Sequence, residues 1–167
     1  MQNKTRKIVF LALLAALCCV ATMVIPIPTP TGGYLNAGDI VVVFAALIAG
    51  PVWGGISAGV GSLLADILGG YAAYAPGTLV AKGLAALITG LVFRRWKKAI
   101  PAAICGELAM AAVYFAYEGL ILGFGLGAAV EIPGNLMQGA LGVAGGVALY
   151  YALRRVPEIQ KISGNVS

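Results

Sequence analysis

Long apolar stretches alternate along this chain with short polar or Gly/Pro-rich breaks. The breaks divide it into six segments, at about 7–25, 37–49, 51–68, 76–93, 101–124 and 131–153. Apolar runs near 20 residues with few charges predict membrane-crossing helices. The segment ends carry helix punctuation. Asn36, with Asp39 three residues on, reads as a capping-box-like start. Gly50 suits the end of one helix and Pro51 the start of the next, and Pro76 and Pro101 suit first-turn positions. The predicted fold is all-α: a polytopic membrane protein forming a single domain over residues 1–167.

Segment 37–49 is short for a span of about 20 residues, and it reads either as re-entrant or as a crossing. Charge favours a crossing. Ten of the eleven basic residues fall into three clusters: Lys4/Arg6/Lys7, Arg94/Arg95/Lys97/Lys98 and Arg154/Arg155/Lys161. Lys and Arg prefer the cytoplasmic side. An even number of crossings must therefore separate the first two clusters, and four fit where three do not. Six helices with both termini cytoplasmic follow, with Trp53 and Trp96 at the inner interface.

Composition agrees. The chain has 167 residues, 60% hydrophobic and 10% charged, with mean hydropathy +0.95; a soluble domain carries about 25% charged residues. The net charge of +5 reads as orientation rather than nucleic-acid binding, because the basic residues sit at segment ends. Ile8–Ile25 is longer than a usual signal core and no convincing cleavage site follows, so it reads as a retained helix. Cys18, Cys19 and Cys105 read as small packing residues. The chain has no histidine, no nucleophile–base pairing, no metal-ligand spacing and no Walker A pattern, so no catalytic, metal or cofactor site is expected and it cannot power transport by itself.

The eleventh basic residue, Lys82, stands alone inside an apolar segment, and an ammonium there is a functional-site candidate by default. At 1.5 Å per residue it lies roughly 9 Å below the outer end of its helix. Asn135 and Gln138 lie at similar depth and share one helix face. Glu118, with Tyr114 one turn below, and Asp66 and Asp39 also fall in the outer third, and Tyr71 and Tyr74 sit in the outer loop. This convergence suits a pocket open outward and closed below, not a channel lined along its length. Other readings stand beside it. Lys82 can neutralise Glu118 or Asp66, Asn135 and Gln138 can join helices, Asp39 can cap, and Glu131 suits a helix N-terminus. Glu107 carries no assigned role. Glycine pairs 55/59, 119/123 and 142/146, and Ala12/Ala16 on the first helix, have the spacing that lets helices approach closely.

The order of motifs resembles a known family. After the Ala12-xxx-Ala16 helix come Ile25-Pro-Ile-Pro-Thr-Pro-Thr-Gly-Gly-Tyr-Leu-Asn-Ala-Gly-Asp39, Gly50-Pro51, Ala65-Asp66-Ile-Leu-Gly-Gly-Tyr71 and Tyr74-Ala-Pro-Gly-Thr-Leu-Val-Ala-Lys82-Gly83. Over essentially the whole chain this is similar to the substrate-binding S components of energy-coupling factor (ECF) vitamin transporters. The similarity is closest to the riboflavin-type branch with its hydroxymethylpyrimidine and pyridoxine carriers. The resemblance implies six helices, one vitamin bound near the outer face, and a first loop that forms part of a lid. It implies docking through Ala12 and Ala16 on a membrane-embedded coupling subunit driven by two ATPases, in a bacterial plasma membrane. The family's ligand contacts map onto Asn36, Tyr74, Lys82, Glu118, Asn135 and Gln138, to which the depth pattern adds Asp66 and Tyr114. The expected cargo is a small pyridine or pyrimidine alcohol, stacked on Tyr71, Tyr74 or Tyr114. Riboflavin is the second choice, since its larger ring system calls for more aromatic lining. Pantothenate is third, since Glu118 and Asp66 oppose an anion. A structural or assembly protein whose polar residues only join helices is the alternative class; a lipid enzyme would need acidic or histidine clusters at the inner interface, which are absent.

Overall fold

The computed structural model describes residues 2–157 and 159–160, and Lys161 of the third basic cluster lies outside the described residues. The fold is an all-helical membrane bundle with five apolar helical stretches long enough to cross a bilayer. They are α1 (Gln2–Val24), α2 (Gly38–Gly69), α3 (Ala75–Trp96), α4 (Ala99–Ala116) and α5 (Ile132–Leu153). A π-helical turn, Tyr117–Ile121, extends α4, and a 3-10 turn, Gly125–Glu131, leads into α5. The expected fifth segment, 101–124, therefore ends early. Gly123 turns the chain at φ +82° rather than packing helices.

α2 is bent in two. Gly50 adopts φ 76°, ψ −179°, a region open essentially to glycine alone, and Pro51 follows it. A Cβ added at Gly54 would meet the Ala45 carbonyl and Ala46 Cα at 2.8 Å. In a straight helix residues 46 and 54 stand about 12 Å apart, so the arms 38–49 and 51–69 run back to back. Helix α1 touches both. Leu11 O accepts from Ser57 Oγ, Cys18 Sγ lies 3.3 Å from Ser62 Oγ, and Thr22 packs against Gly38. The break at Gly50–Pro51 falls where the punctuation places it.

The short arm 38–49 is the centre of the bundle. Residues 41–49 are buried without interruption, because α1, α3, α5 and the other arm surround them. A helix sheathed by protein need not match the hydrocarbon thickness, which accounts for its length of about 18 Å. Small residues make the close packing possible. Gly106 of α4 sits on Ala85 and Thr89 of α3, and Gly142 of α5 sits on Asp39.

Two ends result. At one, Lys7 lies 4.4 Å from the Trp53 ring, Arg94 covers Gly50, and Arg154 lies over Tyr150 and Tyr151. The described members of the basic clusters thus share one end. At the other end the loop after α1 forms a small hairpin: β1 (Ile27–Pro28) pairs antiparallel with β2 (Tyr34–Leu35), Ile27 opposite Leu35 and Pro28 opposite Tyr34. Its turn is closed by Thr29 N to Gly33 O and Gly32 N to Thr29 O, both 3.0 Å. Strands of two residues carry no readable period, and the sequence did not predict them.

Candidate functional site

The hairpin lies over the ends of α2, α3 and α5 and is tied down by side chains from three places. Thr31 donates from its backbone N–H (3.0 Å) and its hydroxyl (2.9 Å) to Glu131 Oε1. Tyr74 donates its phenol to Thr31 O at 2.8 Å. Tyr34 donates to Asp66 Oδ1 at 2.6 Å, while its ring packs on Tyr71 with centroids 4.2 Å apart. Burial pushes the Tyr34 phenol well above the ordinary tyrosine range and the Asp66 bond adds to it, so Tyr34 stays a donor. Burial also raises Tyr74; the Thr31 contact opposes this and the fields of Glu118 and Glu131 reinforce it.

Beneath the hairpin is a cavity with about 20 Å³ of free volume, room for about one water. Of the eight sequence-predicted binding residues, seven line it: Asn36, Asp66, Tyr74, Tyr114, Glu118, Asn135 and Gln138. Thr78 and Glu131 join them; Thr78 accepts from Tyr114 at 3.0 Å. The widened π-helical turn carries Glu118, in keeping with such turns at functional sites.

Lys82 is the exception. Its ammonium is fully buried one layer below and bonds to Asp39 Oδ1 at 2.5 Å, not to Glu118 or Asp66. Asp39 is likewise not a cap. The N-cap residue is Ala37, and Asn36 Oδ1 accepts from Gly38 N instead. The physical reason is charge: a buried ammonium demands a carboxylate, and Asp39 is on the central arm facing α3. Gln138 donates to Asp39 Oδ2 at 2.7 Å and accepts from Asn36 N at 2.6 Å. The ion pair thus reaches the cavity through Gln138, and through the Tyr114 ring 5.6 Å away. Glu107 lies close by against Gly139 and Gly142, both oxygens buried and unpartnered among the described residues.

Residues that sequence reasoning missed are Thr31, Tyr34 and Thr78. Only the Pro-Thr-Pro-Thr run hinted at the first. Ala12 and Ala16 are exposed on the outer flank of α1, whereas Ala15 packs on Gly61.

A protein of Pyrococcus woesei, described as an uncharacterized protein in gap 3'region, is 35% identical over 140 residues, covering 81% of this chain and 93% of that one. Residues 2–155 match the family model described as ECF-type riboflavin transporter, S component. The chain belongs to this ECF S-component family: it is a multi-pass plasma-membrane protein, the vitamin-binding kind of subunit that works with a membrane coupling subunit and ATPase subunits.

Proposed function

We propose that this chain captures a small pyridine or pyrimidine alcohol of the B-vitamin class at its outer face, for uptake by an ECF transporter. One observation carries the reading: seven predicted polar and aromatic residues converge on one capped cavity at the end opposite the basic clusters. Asn135 and Gln138 offer amides, Tyr74 and Tyr114 offer ring faces, and the Thr29–Leu35 hairpin is the lid. A vitamin needs far more than the present 20 Å³, so the hairpin must lift to admit it. A one-ring cargo requires the smaller displacement.

Riboflavin is the second reading, favoured by the family's description. Three tyrosines, Tyr34, Tyr74 and Tyr114, border the cavity, but its present volume is far from a slot for three fused rings, which would require the larger displacement of the hairpin. Pantothenate ranks third, since the lining carboxylates oppose its charge.

The same reading includes the topology. Six crossings, with both arms of α2 counted and the basic end and both termini cytoplasmic, are supported by the reversal at Gly50 and by the shared position of Lys7, Arg94 and Arg154. Lys82 holds Asp39 and through it Gln138, rather than touching cargo. The exposed Ala12 and Ala16 dock on the coupling subunit.

The test is mass spectrometry of small molecules that co-purify with the detergent-solubilised protein, followed by titration of the hit. A stoichiometric pyridine or pyrimidine alcohol supports the first reading, and a flavin moves the cargo to the second. No binding across a B-vitamin panel overturns both.

A further inference from the structure

The cavity has a charge imbalance. Asp66, Glu118 and Glu131 line it, they are 1%, 4% and 4% exposed, and no Lys or Arg lines it with them. Lys82 supplies no remedy, since its charge is bonded to Asp39 in the layer below. The three carboxylates are unequally served. Glu131 Oε1 takes two bonds from Thr31, and Asp66 Oδ1 takes one from Tyr34, with the Thr78 hydroxyl also acting on the Asp66 carboxylate. Asp66 Oδ2 and Glu118 Oε2 are buried with no hydrogen-bond partner among the described residues. Among the described residues no group donates a hydrogen bond to either Glu118 carboxylate oxygen, though Tyr74 feels its field.

A buried carboxylate is costly unless an opposite charge or strong donors meet it. At Asp39 that demand is met by Lys82 on one oxygen and Gln138 on the other; Glu107, outside the cavity lining, is a buried carboxylate without such partners among the described residues. Glu118 and Asp66 both line the cavity, and each leaves one buried carboxylate oxygen without a donor among the described residues. Bonds from N⁺–H to carboxylate are shorter and about twice as strong as neutral ones. An anionic cargo would add a further negative charge to three already present.

Resting on the vitamin-capture reading, we propose that the cargo is a cationic, N–H-bearing heterocycle whose amino edge is held by Glu118, with Asp66 as second acceptor, and that anionic ring compounds are excluded. Glu118 then sets the sign of the cargo's charge. Asn135 and the tyrosines recognise its ring and hydroxyl groups.

A matched series on one ring tests this, with the full chain in lipid nanodiscs and calorimetric titration. Pyridoxamine carries an ammonium, pyridoxine an alcohol, and 4-pyridoxic acid a carboxylate. Pyridoxamine is expected to bind at least tenfold more tightly than pyridoxine, and the acid not measurably. Glu118→Gln is expected to remove most of the amine's advantage over pyridoxine, read as the ratio of the two affinities within the variant. Equal affinity of amine and alcohol, measurable binding of the acid, or an unchanged preference in Glu118→Gln overturns the proposal. The wild-type series decides alone if the variant does not fold. Riboflavin completes the set. Binding of riboflavin with none of the pyridines overturns the cationic cargo but keeps vitamin capture; binding of none of the four also overturns the cationic cargo, and the full B-vitamin panel then decides vitamin capture.

Discussion

Replacing Lys82 by Met separates two roles that an intramembrane lysine can have. The Lys82–Asp39 separation of 2.5 Å gives a Coulomb attraction of about 7 kcal/mol at an effective dielectric near 20. Desolvating both ions offsets most of it, several kcal/mol per ion. The intact pair therefore contributes little net stability, but removing one member leaves the other buried and uncompensated, at about 3–5 kcal/mol. Gln138 still bonds Asp39 Oδ2 in the variant, which places the expected loss near the lower bound, about 3 kcal/mol. Asp39→Asn alone strands the ammonium and should cost about as much. The double variant Lys82→Met/Asp39→Asn removes both charges, keeps an acceptor for Gln138, and should return to within about 1 kcal/mol of the parent. Denaturant titration in mixed micelles measures all four corners of the cycle. Polar pairs in membrane proteins average only about 0.6 kcal/mol in such cycles, so a coupling energy above about 2 marks a charged, sealed pair. A coupling below about 1 kcal/mol, with Lys82→Met as stable as the parent, would refute the reasoning and return Lys82 to the cargo.

Three further outcomes are expected. Gly54→Ala should destabilise by about 1–3 kcal/mol, since its Cβ meets Ala45 and Ala46 backbone at 2.8 Å, while Gly127→Ala, with nothing within 4 Å, should change stability by less than about 0.5 kcal/mol; thermal unfolding in detergent compares them, and equal losses count against the folded-back α2. Tyr74→Phe removes one lid bond to Thr31 O and should speed cargo release about two- to tenfold with little change in association, read by stopped-flow displacement; a slower release contradicts the lid role. Leu at both Ala12 and Ala16 should spare cargo binding and impair ATP-driven uptake in vesicles containing the coupling module; full uptake removes that face from docking.

The hairpin in α2 was legible because Gly50-Pro51 is a local signal, carrying a glycine-only conformation and a residue that starts helices. The depth of the site was legible because helix rise converts residue number to height. Rotation about each helix was not. Lys82, Glu118 and Asp66 all fall in the same layer by number, yet Lys82 faces the central arm and meets Asp39, while the other two line the cavity. Asp39 was misread because its spacing from Asn36 imitates a capping box, and only the neighbouring α3 reveals what its carboxylate meets. The Gly125–Glu131 turn escaped notice because a Gly-Leu-Gly-Ala-Ala run has no helical punctuation.

The sheathed arm 38–49 also constrains biosynthesis. In the finished bundle it meets almost no lipid, but when it leaves the ribosome nothing yet surrounds it. Alone it is too short to hold itself across a bilayer of about 30 Å. Entering together with 51–69 as a folded pair, it gains a protein wall on one side at once, because the two arms touch at Gly54. Asp39 then waits for its counter-ion, which lies 43 positions further along the chain. A nascent chain released before Lys82 carries an orphan carboxylate at the head of its most buried helix; synthesis through α3 is the step that supplies the counter-ion to the central arm.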